Sequence, residues 1–258
     1  MGLKVNTDKG LKGLYLDWET HKSEAESRLS MMVRGNGLPE QQIDYRRCTR
    51  PFVDDIDEIH KRVTEKGIGF VLIDSLGPAC AGDLIKSEIA LPFFNALRTL
   101  GCPCLILGQT SKDKNGRKSI YGSTFFQYMA RSIWETKSSE VPNRLSLQVG
   151  LFHRFSNLSR LSPPVGISFD YLDDAVMLGR FNPKHDPKLS SNLPLYQRIQ
   201  ELLEHQGKMT EEEIGLELDE PKPTVHNTLY KYKEVFVKLE NRQWGAVNRR
   251  IMRDVDEE

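Results

Sequence analysis

The sequence has no apolar run of about 18 residues, which leaves no candidate for a membrane-spanning helix, and no charged-then-apolar start of the kind that directs export. A cytoplasmic protein without a membrane partner is expected. It also lacks any excess of charge. In 258 residues, 36 Lys and Arg balance 36 Asp and Glu, so a surface for a nucleic acid would have to come from local clustering. Cysteine is scarce: Cys48, Cys80, Cys102 and Cys104 lack zinc-ligand spacing, because Cys-Pro-Cys chelates poorly and no Cys or His cluster adjoins it. They are expected to be reduced, mostly buried thiols. The length suits one large domain, or a large one with a small one.

The sequence does hold an alternation of apolar runs and amphipathic stretches. The run Phe70 to Ile73 ends in a carboxylate, Asp74, then a hydroxyl, Ser75, and a Gly/Pro loop reaching Asp83. It reads as a buried parallel strand delivering an acid at its carboxyl edge, where open α/β sheets bind ligands; the plainer alternative is that Asp74 caps the following loop or the next helix. Lys12 to Glu19 is a second such strand, ending in Asp17 and Glu19, and Pro103 to Gly108 is a third, followed at once by Gln109. Helical spacing runs weakly through Ala25, Leu29 and Met32 and clearly through Val53, Ile56, Ile59 and Val63, with bases at the helix end before Gly67. A further helix is predicted from about Asp83 to Leu100, with Ile85, Ile89, Phe93, Leu97 and Leu100 inward. Strand and helix in alternation predict an α/β fold with a mostly parallel sheet, whose polar strand ends Glu19, Asp74 and Gln109 converge on one edge. A short helix from Tyr121 to Ala130 follows. Strands at Ser132 to Thr136 and Leu145 to Phe152, then a hairpin of Val165 to Tyr171 and Ala175 to Phe181, would finish the sheet antiparallel.

Between them, Ser111 to Ser119 carries Lys112, Lys114, Arg117 and Lys118 against one acid and nothing apolar. It reads as a solvated loop, with nucleic-acid contact as its functional alternative. The first domain thus spans residues 1–181. Residues 182–194 shift to Pro, Lys, Ser and Asn without periodicity and read as a linker. Over 195–253, ahead of an acidic tail at 254–258, three helices and a two-stranded hairpin spell a winged helix-turn-helix, with Thr210 and Glu213 as a capping box. Its third helix, the usual reader of the major groove, offers Lys222, Thr224, His226, Asn227, Lys231 and Lys233. Ten bases and ten acids from Leu195 to Arg253 leave DNA contact and protein docking both open.

The motifs of the first domain resemble those of RecA-like ATPases of the hexameric replicative helicase branch, close to plasmid RepA-type and phage or prophage proteins. Leu-Tyr-Leu-Asp-Trp-Glu resembles the core strand with the catalytic glutamate, at Glu19. Val-Leu-Ile-Asp-Ser-Leu-Gly-Pro resembles the Walker B strand, giving Asp74, with Ser75 beside it, the role of holding Mg²⁺ through water. Leu-Ile-Leu-Gly-Gln-Thr-Ser-Lys resembles the strand whose terminal Gln, here Gln109, senses the γ-phosphate and relays to a DNA-facing loop. Tyr-Gly-Ser-Thr-Phe-Phe-Gln-Tyr-Met-Ala-Arg-Ser-Ile-Trp is similar to the segment after that loop. Arg154 takes the place of the arginine finger that completes a neighbour's site, and His153 stands where the family often has another polar or basic residue. The resemblance implies ATP and Mg²⁺ as cofactors, single-stranded and possibly duplex DNA as partners, and a homo-oligomeric ring or filament.

One part of the pattern is missing. No Gly-x-x-x-x-Gly-Lys-Ser/Thr occurs in the sequence, and this motif supplies the amide nest and lysine that hold nucleotide phosphates. Its expected place is before Leu14, one strand and one helix earlier. A shortened start, a separately encoded partner and a degenerate ATPase are all compatible with this, and negligible ATP hydrolysis by these 258 residues is expected. Two alternatives of another class are a non-catalytic adaptor in replication initiation, which would bind DNA and oligomerise, and a winged-helix transcription regulator.

Overall fold

The computed structural model describes residues 11–39, 43–110, 120–122, 124–140, 145–158 and 160–247. The basic tract with Lys112, Lys114, Arg117 and Lys118, and the acidic tail, lie outside the described residues.

Four strands form a parallel sheet in the order β2 (Ile43–Arg47), β1 (Gly13–Asp17), β3 (Phe70–Asp74), β4 (Cys104–Ile106). Strand alternation sends Leu14, Leu16, Val71 and Ile73 to one face, where all four are buried. Against them pack Ile59 and Val63 of α2 (Ile56–Lys66), Phe93 and Leu97 of α4 (Ser87–Thr99), Phe52, and Phe126 of α5 (Thr124–Met129). The rings of Phe52 and Phe93 lie 5.2 Å apart. Each such fully buried aliphatic or aromatic side chain contributes on the order of 1.5–3 kcal/mol. Gly67, left-handed at φ 62°, stops α2 and turns the chain into β3.

The opposite face carries Tyr45, Tyr15, Leu72 and Leu105 in one register row. It is only partly covered: Leu105 is 50% exposed and Leu107 42%. Strand β4 pairs with β3 alone among the described residues.

Sequence and structure differ at several elements. β2, Ile-Asp-Tyr-Arg-Arg, has too few apolar residues to announce itself. It is an edge strand whose charges are taken up locally: Arg62 grips Asp44 with two hydrogen bonds of 2.6 and 2.5 Å, and Arg46 pairs with Asp55. The helix expected from Asp83 begins at Ser87, because the Asp83 carboxylate accepts from the Ile85 amide (3.1 Å) and holds a turn there. Ile85 is therefore 63% exposed rather than inward. A five-residue helix, α3 (Leu76–Cys80), precedes that turn.

The later strands do not extend the parallel sheet. Among the described residues, β5 (Ser132–Glu140), β6 (Ser146–Ser156), β7 (Val165–Tyr171) and β8 (Val176–Phe181) make their own antiparallel sheet. Helix α1 (Lys22–Gly35), which follows β1, reaches its outer strand. Asn36 Nδ2 donates to the Val176 carbonyl (3.0 Å), and the Leu178 amide donates to Asn36 Oδ1 (2.9 Å), so one side chain imitates a neighbouring strand. Arg34 adds bonds to the Asp174 carbonyl. Gly35 lies so close that a Cβ there would meet the Val176 carbonyl oxygen at 2.2 Å.

Residues 182–194, expected as an irregular linker, fold into a 3-10 turn and the short α6 (Pro187–Ser190). Asp186 caps α6 by accepting from the Lys188 and Leu189 amides, and Leu189 and Leu193 are buried with Phe152. The remaining elements run α7 (Leu195–Gln206), β9 (Met209–Thr210), α8 (Glu211–Leu218), α9 (Lys222–Lys231), β10 (Phe236–Lys238), β11 (Gln243–Ala246). β11 lies between β10 and β9 in a small antiparallel sheet, and Ile199, Ile214, Val225, Leu229, Phe236 and Trp244 form a separate core. The Thr210–Glu213 capping box forms as the sequence predicts. No helix among the described residues is long and apolar enough to cross a membrane.

Candidate functional site

Parallel pairing of β1 with β3 puts Asp17 directly beside Asp74 at the carboxyl edge of the sheet. Two residues past Asp17 comes Glu19, and one past Asp74 comes Ser75, across a cis peptide bond. The Ser75 hydroxyl donates to Glu19 Oε1. Glu19 is exposed to solvent. The three side chains that the sequence places separately on two strands therefore form one cluster of oxygen donors.

Two residues that sequence reasoning left without a role organise this cluster. Tyr15 donates its hydroxyl to Asp74 Oδ2 at 2.7 Å, and Tyr45, from the unforeseen β2, donates to Asp17 Oδ2 at 2.9 Å. Their rings meet edge to face at 5.6 Å. Burial and the neighbouring carboxylates raise the pKa of both phenols, that of Tyr45 to about 12, so both act as donors. Asp17, completely buried, accepts from the amides of Glu19 and Thr20 (2.8 Å each), from the Thr20 hydroxyl and from Tyr45. Burial alone would raise its pKa; these hydrogen bonds outweigh it and hold the carboxyl below the usual range. Asp17 thus fixes the turn that presents Glu19. The period of two in Leu-Tyr-Leu-Asp places Tyr15 and Asp17 on one face, a signal present in the sequence.

Gln109 lies three residues beyond β4, exposed. Its carbonyl accepts from the Tyr121 amide (2.8 Å), and Thr110 bridges Ile120, so the two ends of the basic tract are pinned together beside it.

Arg154 and His153 belong to β6 of the second sheet. Arg154 donates to Glu135 Oε2 from Nε and from its terminal nitrogen, at 2.8 and 2.7 Å. His153 is buried, stacked on Trp134 with ring centroids 4.4 Å apart. Its Nδ1 accepts from the Ser162 amide (2.8 Å), which leaves Nε2 to donate to Ser132 Oγ (2.9 Å). In that tautomer the ring cannot draw a proton from Ser132, so this pair is a structural one.

On α9, Lys222 is ion-paired with Glu212, and His226 Nδ1 lies 3.0 Å from Glu211. Thr224, Asn227 and Lys231 are exposed, Lys231 above the Tyr232 ring at 5.4 Å. Among the described residues no group of three or more His, Cys, Asp or Glu is arranged to chelate a metal directly. The thiols of Cys48, Cys80 and Cys104 are pushed up by burial to about 11, 12 and 12, as inert structural cysteines are.

Among solved structures the chain is similar to a KaiC-like protein from the hyperthermophilic archaeon Pyrococcus horikoshii, at 16% identity over 67% of this chain and 77% of that one, with a TM-score of 0.46. No family model matches the chain, and no curated protein matches it.

Proposed function

We propose that this chain is the body of a RecA-like, DNA-dependent nucleotide hydrolase of helicase type, whose site is completed by a phosphate-holding strand, loop and helix that its described residues do not contain. The observation that carries this is the cluster at the carboxyl edge, in which Ser75 clamps Glu19 next to Asp74. Glu19 keeps its second oxygen to accept a proton from an attacking water. Asp74, Ser75 and Glu19 are hard oxygen donors of the kind Mg²⁺ takes, with Asp74 suited to hold its water shell. For the phosphates the fit fails: neither a glycine-rich amide nest nor a lysine points at this edge among the described residues. ATP would supply the phosphoryl group; Asp74, Ser75 and Glu19 would hold only the water and Mg²⁺ side.

Support for a missing element comes from the sheet itself. A parallel sheet is normally buried on both faces, yet Leu105 and Leu107 leave β4 with an open apolar face and edge. One more strand along β4, followed by a helix over Leu105, Leu72 and Tyr15, would close both. The pinned basic tract after Gln109 supports single-stranded DNA as the partner through backbone tracking by Lys and Arg. The C-terminal element order supports the winged-helix reading, and oligomerisation would bring Arg154 to a neighbouring site once it leaves Glu135.

The test is complementation. The chain alone is expected to hydrolyse ATP at background rate. Fused to a strand, Walker A loop and helix ahead of Met1, it is expected to hydrolyse ATP, with Glu19→Gln lowering kcat by about 10²-fold or more. Turnover by the chain alone, or turnover in the fusion indifferent to Glu19→Gln, would sink the proposal. The adaptor alternative, favoured by the missing cradle, predicts that the fusion stays inactive while the chain still binds DNA.

A further inference from the structure

Helix α5 presents a surface that takes no part in the cluster at Glu19 and Asp74. Its Phe126 is buried against Phe93 and Phe94. Phe125 and Tyr128 turn the other way and are 38% and 69% exposed. Their i, i+3 spacing stands the two side chains about 5–6 Å apart at Cβ on one side of the helix. Tyr121, 45% exposed, comes just before the helix, and its amide donates to the Gln109 carbonyl (2.8 Å), which anchors a third aromatic residue at the carboxyl edge of the parallel sheet. Aromatic side chains of this size are normally spent on a core; here three are left to solvent within a short stretch.

The same stretch carries a local excess of positive charge. From Gln109 to Arg131 the chain holds five bases and one acid, although its charges balance overall. The pairing of Thr110 with Ile120 brings both ends of the basic tract to the place where Tyr121 begins. Gly122, at φ 124°, lets the turn at Leu84 approach so closely that a Cβ would meet the Leu84 carbonyl oxygen at 2.8 Å. That turn adds an exposed Lys86, together with the acids Asp83 and Glu88, of which Asp83 is taken up by the Ile85 amide. Exposed rings set in basic sequence match the two halves of a nucleotide, a π face for the base and cations for the phosphate. A duplex has its bases already stacked on one another, whereas a single strand leaves base faces uncovered.

We propose that Tyr121, Phe125 and Tyr128 stack the bases of single-stranded DNA whose phosphates are neutralised by the basic residues around them. The proposal rests on the reading of this chain as a DNA-dependent protein and adds to backbone tracking a direct, sequence-tolerant hold on the bases.

Anisotropy titrations of the full chain separate the two. One labelled probe is an oligo-dT of about 15 nucleotides, near the largest site size of such surfaces; the other is an abasic strand with the same number of phosphates. Oligo-dT is expected to bind about tenfold or more tightly than the abasic strand. Tyr121→Leu with Tyr128→Leu keeps apolar bulk but removes the π faces, and is expected to weaken oligo-dT about tenfold while leaving the abasic strand unaffected. Phe at both positions is expected to restore oligo-dT binding. Both tyrosines are solvent-exposed, and an unchanged circular dichroism spectrum checks that the leucine variant is folded. Salt-dependent binding with equal affinity for the two probes, or a leucine variant that binds oligo-dT as well as the parent chain or loses both probes alike, would overturn base stacking and leave DNA dependence standing. A fall in sedimentation mass in the leucine variant would overturn it too, by assigning the rings to a contact between copies. Absence of saturable binding to either probe would overturn both the stacking and the reading it rests on.

Discussion

At Asp17 a buried carboxylate accepts four hydrogen bonds, and two of them, from the Glu19 and Thr20 amides, shape the turn that carries the candidate base. Asparagine there keeps the volume but replaces an acceptor with a donor, leaving a buried donor facing donors. Asp17→Asn is expected to lower unfolding free energy by about 2–4 kcal/mol in urea titration. Tyr15→Phe removes one bond to Asp74 and is expected to cost about 1 kcal/mol. Acid acts on the same groups. Asp44 is held at about 2, first by the Arg62 guanidinium against the opposing effect of burial, then by Lys66. Because the folded-state value is depressed, its contribution is complete above about pH 4, the unfolded range, and is lost as pH falls from there toward 2. The Tm is expected to drop across that window, and Asp44→Asn to flatten the drop; an unchanged slope in that variant would refute the assignment. That Asp74 and Glu19 stand at strand ends was legible, because each follows an apolar run. The Ser75–Glu19 bond and the tyrosine pair were not, because they depend on which strands are neighbours, and the intervening β2 is too polar to be recognised.

The elements divide according to how much apolar pattern each carries. β1, β3 and α2 have strong periods and appear where the sequence puts them, within a residue or two. α4 starts later than hydrophobic spacing predicts because the Asp83 side chain competes with the backbone for the Ile85 amide, a choice that spacing does not encode. Residues 182–194 have the composition of a linker, although Asp186 caps a helical turn and two leucines find the Phe152 cluster. Strand β4 offers the sharpest test at this scale. Leu105→Glu places a charge on an exposed face and is expected to change the stability of the isolated chain by under about 0.5 kcal/mol. The same substitution is expected to abolish ATP hydrolysis in the completed fusion, where that face is covered and the charge is buried without a partner. Equal losses of stability in both settings would show that the face is already closed.

At the scale of the molecule, one rod reaches from the edge of the parallel sheet to the antiparallel one. Helix α1 begins just after Glu19 and Thr20 and ends with Asn36 bonded to the backbone of β8. Asn36→Ala removes both side-chain bonds and is expected to cost about 1–2 kcal/mol, and to speed hydrogen exchange at the Leu178 amide while leaving that of Val71 unchanged. An unaltered Leu178 amide would mean that the strand edge is held elsewhere. A helix of this length spans about 21 Å and is stiff compared with the turns at its ends. A rotation of the Glu19 turn by a few degrees would therefore arrive at β8 as a displacement rather than be absorbed on the way. On the proposed function, α1 would act as a lever arm with its fulcrum at the Asp17 carboxylate, and chemistry at one sheet's edge would be converted by it into travel of the other sheet.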